Sequence, residues 1–283
     1  MSHETMDTFS DEDTQVPSAR HHGDELLHQT PQDVAEESSS SYVPPEQEPD
    51  IVATAGFKGG IGKSRTAKEL SALFQAVLTD LEWDWGGVTR GWGYFEENRV
   101  KSPLIEAFRT GKTPRPLSGG GRKPDLIPGH TDFERNQPRA EVVAEHLNRW
   151  SHDLKRRLVV DTHPGGSEST YGAMAAARVT VVPAVLGRDE MRALEGLLQN
   201  VADYPLLVIP YKIGRSPAAW ALDELVKFKG KYGITIGPPV SNYTWIPDRK
   251  NRVPICASAE SKRTSPFIEE MRAVAEAVDS YGR

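Results

Sequence analysis

The sequence predicts an α/β domain in which a mostly parallel β-sheet is covered by helices on both faces. Three observations support this fold class. From residue 50 onward, short apolar runs alternate with segments of helical periodicity. Each apolar run is nearly unbroken, as expected for strands buried on both faces. A glycine-rich loop also follows the first apolar run and precedes the first helical segment.

The first half of the domain follows this alternation closely. The unbroken run IVATAG (51–56) predicts a buried strand, and the apolar spacing over 64–77 predicts a helix. A second strand is predicted at VLTDLEW (77–83), and a short helix at SPLIEAFR (102–109). The glycines of SGGGRKP (118–124) indicate a flexible connector.

The second half continues the same pattern. DLIPG (125–129) predicts a strand, and RAEVVAEHLNRW (139–150) predicts an amphipathic helix. In RRLVVDTHPGG (156–166), two arginines precede a predicted strand and a glycine turn. The remaining elements are a strand at 179–185, a helix from Asp189, a strand at 205–211, a final strand at 253–257 and a closing helix over 266–278.

Charge divides the chain into two parts. Residues 1–50 hold thirteen acidic residues and one cation, Arg20, whereas the remainder holds 33 Lys and Arg against 27 Asp and Glu. The first segment has few large apolar side chains, so we expect a disordered acidic tail over 1–49 and a domain over 50–283. The His21-His22 pair in that tail lacks other ligands and is interpreted as solvated.

Several classes of protein are disfavoured by composition. The single cysteine, Cys256, excludes an internal disulfide and argues against a thiolate metal site within the chain. No apolar window reaches the roughly eighteen residues that a membrane span needs. The N-terminus is acidic, unlike a secretory signal, and the last helix carries more acidic than basic residues, which argues against membrane docking. A cytoplasmic protein is expected.

The loop GFKGGIGKSR (56–65) carries the strongest chemical signal. Glycines let backbone N–H groups turn toward phosphate oxygens, and the following helix N-terminus favours an anion. In such a loop Lys63 would contact the β- and γ-phosphates, and the Ser64 hydroxyl would bind Mg²⁺. These features predict a P-loop NTPase-type fold.

The form KGGxGK[ST] resembles the deviant Walker A loop of the ParA/MinD family of ATPases, although Phe57 occupies the usual first glycine position. The resemblance implies that Lys58 reaches across an ATP sandwich dimer to the partner's nucleotide. The alternative is that Lys58 is a solvated cation near phosphate. The resemblance further implies that the loop binds ATP through residues 58–65, which are Lys58, Gly59, Gly60, Ile61, Gly62, Lys63, Ser64 and Arg65.

Other segments over roughly 50–280 resemble the same family in order. VLTDLEWD places Asp80 at the family's first carboxylate, and RLVVDTHPGG resembles its Walker B segment. This implies that Asp161 holds Mg²⁺ through water, together with Ser64. PDLIPGHTDFE and ARVTVVPAVLGRDEMRALEGLL resemble further family segments. The implied catalytic set is Lys58, Lys63, Asp80 and Glu82.

The sequence also departs from the family. Glu82 stands where the family has a water-orienting Asp, and Asp84 is an alternative for that role. The segment WDWGG (83–87) offers aromatics for a dimer face or for the core, and His163 replaces a proline. PLLVIPYKIG lacks the family's Asn, which leaves the adenine contacts unassigned.

Basic residues in the C-terminal half are candidates for non-specific DNA binding, since phosphate contacts need no base readout. For each residue the alternative is a solvated charged face. The candidates are Lys212, Arg215, Arg249, Lys250, Arg252, Lys262 and Arg263.

The resemblance implies a nucleoid-associated partition ATPase that uses ATP and Mg²⁺. It would form an ATP-dependent homodimer that either stays a dimer or extends into filaments, bind double-stranded DNA and respond to a ParB-like partner. The longer stem of Glu82 motivates an alternative: a dimerising or polymerising ATP-dependent scaffold with little hydrolysis.

Overall fold

The computed structural model of the chain describes residues 50–84, 87–95 and 103–282. The predicted acidic tail, residues 1–49, lies outside the described residues, as do Trp85 and Gly86 of the aromatic segment.

Eight strands form a sheet whose strand pairings are all parallel, which confirms the predicted fold class. The order across the sheet is β3-β2-β4-β1-β5-β6-β7, and β8 pairs with the end of β6. The strands are β1 (Ile51–Thr54), β2 (Val77–Asp80), β3 (Leu126–Ile127), β4 (Leu158–Asp161), β5 (Val179–Ala184), β6 (Leu206–Ile213), β7 (Thr235–Ile236) and β8 (Val240–Ser241).

Helices cover both faces of this sheet. They are α1 (Lys63–Leu73), α2 (Val88–Trp92), α3 (Pro103–Thr110), α4 (Ala140–Leu154), α5 (Glu168–Ala176), α6 (Arg188–Val201), α7 (Ala219–Tyr232) and α8 (Ser265–Ser280).

The central position of β1 in the sheet explains why its sequence is apolar throughout. Val52 packs in the cluster that includes residues of α1 and α8, whereas Ile51 and Ala53 pack in the cluster that includes α3, α4 and α5. Successive side chains of a strand point to opposite faces, so a strand covered on both faces needs apolar residues at every position. All four residues of β1 are buried.

The connection between α1 and β2 is short. The helix ends at Leu73, earlier than the predicted end at residue 77. Gln75 adopts a left-handed backbone with φ 51°, and the Ala76 N–H donates to the Ser71 carbonyl at 2.9 Å. This tight turn leads directly into β2.

One predicted strand is wrong. Residues 253–257 contain a 3-10 turn at Ile255–Ala257, and the last strand is β8. The apolar residues of VPICA suggested a strand, but Ile255 is buried in the core beside α1 and α8 rather than paired in the sheet. Helices α2, α5 and α7 were not predicted; α5 is rich in small residues and has little amphipathic pattern.

Because neighbouring strands are parallel, their carboxyl ends meet at one edge of the sheet. The ends of β1, β2, β4 and β6, together with the loops that follow them, carry most of the residues that the sequence singled out for chemistry.

Candidate functional site

The glycine-rich loop joins β1 to α1 at the carboxyl edge of the sheet. Gly60 and Gly62 have left-handed backbones, with φ of 76° and 113°. A Cβ at Gly62 would lie 2.4 Å from the Tyr211 ring, so this position admits only glycine. Lys63 opens α1 and is only 4% exposed. The loop and the helix N-terminus thus form an arrangement suited to binding an anion.

Two buried carboxylates, Asp80 and Asp161, lie side by side below this loop. They end β2 and β4 and are direct partners in the register of the sheet. Asp161 Oδ1 accepts a hydrogen bond from the Thr54 hydroxyl at 3.2 Å. Its second oxygen, Oδ2, is buried without a hydrogen-bond partner among the described residues.

The environment of Asp161 favours its neutral form. Burial and the nearby Asp80 carboxylate raise the pKa of Asp161 well above its usual range, whereas Lys63 and the Ser64 hydroxyl act in the opposite direction. A buried, unpaired carboxylate oxygen of this kind is suited to binding a cation, because a cation would stabilise its charged form.

Asp80 connects two neighbouring loops. Its carboxylate accepts hydrogen bonds from the Glu82 N–H at 3.0 Å and from the N–H of Thr89 at 2.8 Å, and it also bonds to the Thr89 hydroxyl. The Thr89 hydroxyl oxygen in turn accepts from the Gly129 N–H at 2.9 Å. Asp80 therefore orients the loop after β2, the start of α2 and the loop after β3.

Glu82 is half-buried just beyond β2. Burial, together with the charge of Asp80, raises the pKa of Glu82 to about 7, while Lys63 and Ser64 oppose the rise. A carboxylate whose pKa lies near neutrality can exchange a proton with water at physiological pH. Glu82 is therefore suited to a general-base role.

Lys58 makes an ion pair within its own chain. Its Nζ lies 2.5 Å from Oε1 of Glu190, in the first turn of α6. The Lys58 side chain is 39% exposed and that of Glu190 27%, so the pair is accessible to water. The hydrogen bond from Lys58 is the main reason that the pKa of Glu190 is lowered.

Lys212, predicted as a DNA contact, lies at the phosphate loop. It follows Tyr211 on β6, and its Nζ donates to the Gly60 carbonyl at 2.8 Å. Its exposed position leaves it accessible to a bound ligand as well.

The other DNA-binding candidates fall into three groups. Arg249 turns inward and donates to the carbonyls of Asn251 and Val253 and to the Ser258 hydroxyl. Two more lie over aromatic rings: Arg252 over Phe95 at 4.7 Å and Arg263 over Trp245 at 4.9 Å. The exposed candidates Arg215, Lys250 and Lys262 lie on loops. The seven therefore do not form a single uniform surface.

The unusual residues Trp83, Asp84 and His163 contact one another. The rings of Trp83 and His163 stack with centroids 3.7 Å apart and planes 5° from parallel. His163 Nε2 lies 3.0 Å from Asp84 Oδ2. These contacts join the loop after β2 to the loop after β4, so they hold Glu82 and Asp161 in a fixed relation. Trp83 thus packs within its own chain, and Trp85 lies outside the described residues.

Sequence reasoning missed three residues of this site: Thr89, Glu190 and Tyr211. Thr89 and Tyr211 belong to no sequence motif. Thr89 contributes through its hydrogen bonds to Asp80, and Tyr211 through the packing of its ring against Gly62. A weak signal existed for Glu190, since acidic residues favour the first turn of a helix.

Among the described residues, no cluster of three or more His, Cys, Asp or Glu side chains could hold a metal ion. A Mg²⁺ ion commonly uses only one or two protein oxygens plus phosphate and water, and Ser64 with Asp161 fits that donor set. Over the same part of the chain, no helix has the length and apolar character needed to cross a membrane.

Comparison with known proteins gives matches in structure only. No protein-family model and no curated protein matches the sequence. Apo McdA from Cyanothece superposes with a TM-score of 0.68 and 20% identity, covering 81% of this chain and 99% of McdA.

Two further solved structures agree with this result. A plasmid partition protein from Borrelia burgdorferi bound to AMPPNP has a TM-score of 0.62 and 19% identity, covering 81% of this chain and 98% of that protein. The MinD cell division protein from Aquifex aeolicus has a TM-score of 0.59 and 16% identity, with coverages of 80% and 97%. Structures of an McdA variant with ATP and of a Mycobacterium smegmatis cobyrinic acid a,c-diamide synthase with an ATP analogue and magnesium also match.

The resemblance that the sequence suggested is thus confirmed at the level of fold: this chain has the fold of McdA, plasmid partition proteins and MinD.

Proposed function

We propose that this protein is a partition-type ATPase that binds ATP and Mg²⁺, dimerises around the nucleotide and binds DNA without sequence preference. One observation carries the proposal. The glycine loop between β1 and α1 places the buried Lys63 and the half-buried Ser64 beside the carboxylates of Asp161 and Glu82. Solved proteins of the same fold with bound ATP or AMPPNP support this assignment.

The loop residues hold the phosphates of the nucleotide. The backbone N–H groups of residues 59–65 would contact phosphate oxygens, as the left-handed Gly60 and Gly62 permit. Lys63 supplies a buried positive charge, whose attraction for phosphate is stronger in the protein interior than in water. Arg65 is ion-paired to Glu69 one turn later on α1, so its side chain is directed along the helix.

Ser64 and Asp161 would hold Mg²⁺, with Asp161 acting through water. When bound, Mg²⁺ neutralises charge on the phosphates and so assists phosphoryl transfer. The unpaired Oδ2 of Asp161 is the feature of this chain that fits the ion. A bound Mg²⁺ would also offset the repulsion between the neighbouring carboxylates of Asp80 and Asp161.

Hydrolysis needs a group that orients or deprotonates the attacking water. Glu82 is suited to that role because its pKa lies near neutrality and it is near Lys63 and Ser64. Asp80 acts through its bonds to Thr89 and to the Glu82 N–H, and is therefore a positioning residue. The stacked Trp83 and His163 limit the movement of the Glu82 loop.

Dimerisation would bring Lys58 of each chain to its partner's nucleotide. In the single chain Lys58 is paired with Glu190, so this contact must open before Lys58 can reach across an interface. The pair is partly exposed, so breaking it costs little free energy.

DNA binding would involve the exposed basic residues Arg215, Lys250 and Lys262 most directly. Arg249, Arg252 and Arg263 already contact groups of their own chain, and they can add charge without leaving those contacts. A ParB-like partner would stimulate hydrolysis, and filament formation would be a further step. Such a protein would act in the cytoplasm, associated with the nucleoid.

An ATP-dependent scaffold with little hydrolysis is the second candidate. The observation that favours it is the replacement of the family's Asp by Glu82, together with the raised pKa of Glu82, which leaves a large share of this group protonated at neutral pH. A protonated carboxyl cannot accept a proton from water. The scaffold would dimerise or polymerise with ATP but release little phosphate.

Phosphate release by the full-length protein tests the proposal. We expect release from ATP and Mg²⁺ that rises on addition of non-specific double-stranded DNA and that falls by at least about 100-fold in Lys63→Ala, given the usual size of electrostatic contributions to catalysis. Lys58→Ala should retain ATP binding but lose dimerisation and DNA-stimulated release.

The variants also separate the two candidates. ATP-dependent dimers without phosphate release in any sample would favour the scaffold. Failure of the wild-type protein to bind ATP would refute both.

A further inference from the structure

The end of β6 makes an unusual contact with the phosphate loop. The Lys212 ammonium group donates to the Gly60 carbonyl at 2.8 Å, although the two residues are 152 positions apart. The neighbouring Tyr211 packs its ring against Gly62 so closely that no side chain fits there. Two consecutive residues of β6 thus contact both left-handed glycines of the loop.

The backbone at Lys212 is adapted to this contact. Lys212 has φ 57°, one of three non-glycine residues with positive φ in the described part of the chain. The pairing of β6 with β8 also shifts register between Tyr211 and Ile213. Irregularities of this kind in a strand redirect a side chain and carry an energetic cost, so they commonly mark functional positions.

The contact has a direct consequence for the loop. In a trans peptide unit, the carbonyl of one residue and the N–H of the next point in opposite directions. Holding the Gly60 carbonyl at Lys212 therefore turns the Ile61 N–H to the opposite side of the chain. An ammonium donor also polarises that peptide, which strengthens the N–H as a donor to an anion.

The charges around Lys212 agree with a role at this loop. Lys212 and Lys58 both contribute to stabilising the charged form of Glu190. Glu190 is the acidic partner of Lys58, so the mouth of the loop carries two lysines for one carboxylate. The excess positive charge favours a polyanionic ligand such as a nucleotide.

We propose that Lys212 is a positioning residue of the nucleotide site, which holds the Gly60–Ile61 peptide in its phosphate-binding orientation, rather than a DNA contact. This inference rests on the proposed function. The backbone of such a loop cradles the α- and β-phosphates. Since both are present in ADP and ATP, Lys212 should strengthen the binding of the two nucleotides to a similar extent.

The test compares variants of the full-length protein. Lys212→Met removes the charge and keeps the stem, Lys212→Gly also removes the backbone strain, and Lys212→Arg restores a cationic donor. Lys229→Met is the matched control, because Lys229 is an exposed lysine on α7, outside the proposed nucleotide and DNA sites. Calorimetry measures the Kd for Mg-ATP and Mg-ADP, thermal melting without nucleotide measures stability, and DNA binding is measured at saturating ATP.

We expect Lys212→Met and Lys212→Gly to raise the Kd for both nucleotides by about tenfold, which is the loss typical of one charge-assisted hydrogen bond. Lys212→Gly should melt no lower than the wild type, since glycine relieves the positive φ. Lys212→Arg should recover most of the affinity, and Lys229→Met should bind nucleotide as the wild type does.

Unchanged nucleotide affinity in both Lys212→Met and Lys212→Gly would overturn the inference. Loss of DNA binding in these variants with unchanged nucleotide affinity would assign Lys212 to DNA instead. If the wild type binds neither nucleotide, the proposed function itself fails. These outcomes therefore separate the failure of the inference from the failure of the function.

Discussion

At the scale of single residues, the carboxyl group of Asp161 is the least favourable charge in the described site. It is fully buried, adjoins Asp80, and has one oxygen without a hydrogen-bond partner among the described residues. In the absence of a cation, its neutral form is the more stable one. The same arrangement that makes Asp161 suited to a cation therefore makes it unfavourable in the empty site.

This predicts a pH dependence of stability. The folded-state pKa values of Asp161 and Glu82 lie above their unfolded values, so between about pH 4 and pH 7 the folded protein binds more protons than the unfolded chain does. The free energy of unfolding should therefore fall with rising pH in this window, by at most about 1.4 kcal/mol per pH unit for each group.

Thermal melting without nucleotide between pH 5 and pH 8 measures this effect. Asp161→Asn is the control, because it keeps the shape but does not titrate. We expect the wild type to lose more stability than Asp161→Asn as pH rises, and Mg²⁺ with ATP to reduce the loss at pH 8. Parallel curves for the two proteins would contradict the assignment of the effect to Asp161.

At the scale of elements, the contact between the phosphate loop and α6 controls the position of Lys58. The ion pair with Glu190 links the loop after β1 to the first turn of α6. The proposed dimer requires Lys58 to leave this partner. Helix α6 therefore competes with a second subunit for the same ammonium group.

Glu190→Gln should shift this competition toward the dimer. Since partly exposed ion pairs contribute roughly 0.2–1 kcal/mol, we expect the variant to dimerise at about two- to fivefold lower ATP concentration. Sedimentation velocity over a range of ATP concentrations measures the dimer fraction.

Glu195→Gln is the matched control on the same helix. Glu195 pairs with Lys231 of α7 at 2.9 Å and, among the described residues, makes no hydrogen bond or ion pair with the loop, so its loss should leave dimerisation unchanged. A Glu190→Gln protein that dimerises less readily than the wild type would show that Glu190 assists the dimer instead.

At the scale of the whole molecule, charge separates the acidic N-terminal segment from the basic remainder. Residues 1–50 carry thirteen acidic groups and one cation, whereas the rest has an excess of six positive charges. A tethered acidic segment stays at high effective concentration near the body of its own chain. It should therefore compete with DNA for the basic residues.

Deleting residues 1–49 should strengthen the ATP-dependent binding of DNA, and the gain should shrink as salt concentration rises because the competition is electrostatic. Fluorescence anisotropy with a labelled duplex at two salt concentrations measures both effects. Neutralising the acidic residues of the segment without deleting it separates charge from length. Weaker DNA binding after deletion would contradict the competition.

The sequence by itself determined the parallel α/β fold and the chemical part of the loop. Unbroken apolar runs identify strands buried on both faces, and the order strand, glycine loop, helix places Lys63 and Ser64 at a helix start. Asp80 and Asp161 were identified through the family resemblance, and their proximity follows from strand direction, because the carboxyl ends of neighbouring parallel strands meet at one edge. These features depend on local pattern and on strand direction, both of which are readable in one sequence.

Only the tertiary structure decided which side chains meet across the loops. Glu190 pairs with Lys58 over a separation of 132 residues, and Lys212 reaches Gly60 over 152. Residues 253–257, apolar enough for a strand, contain a 3-10 turn instead, because Ile255 packs into the core beside α1 and α8. Such contacts depend on loop conformation, positive φ angles and side-chain packing, which carry no periodic signal along the chain.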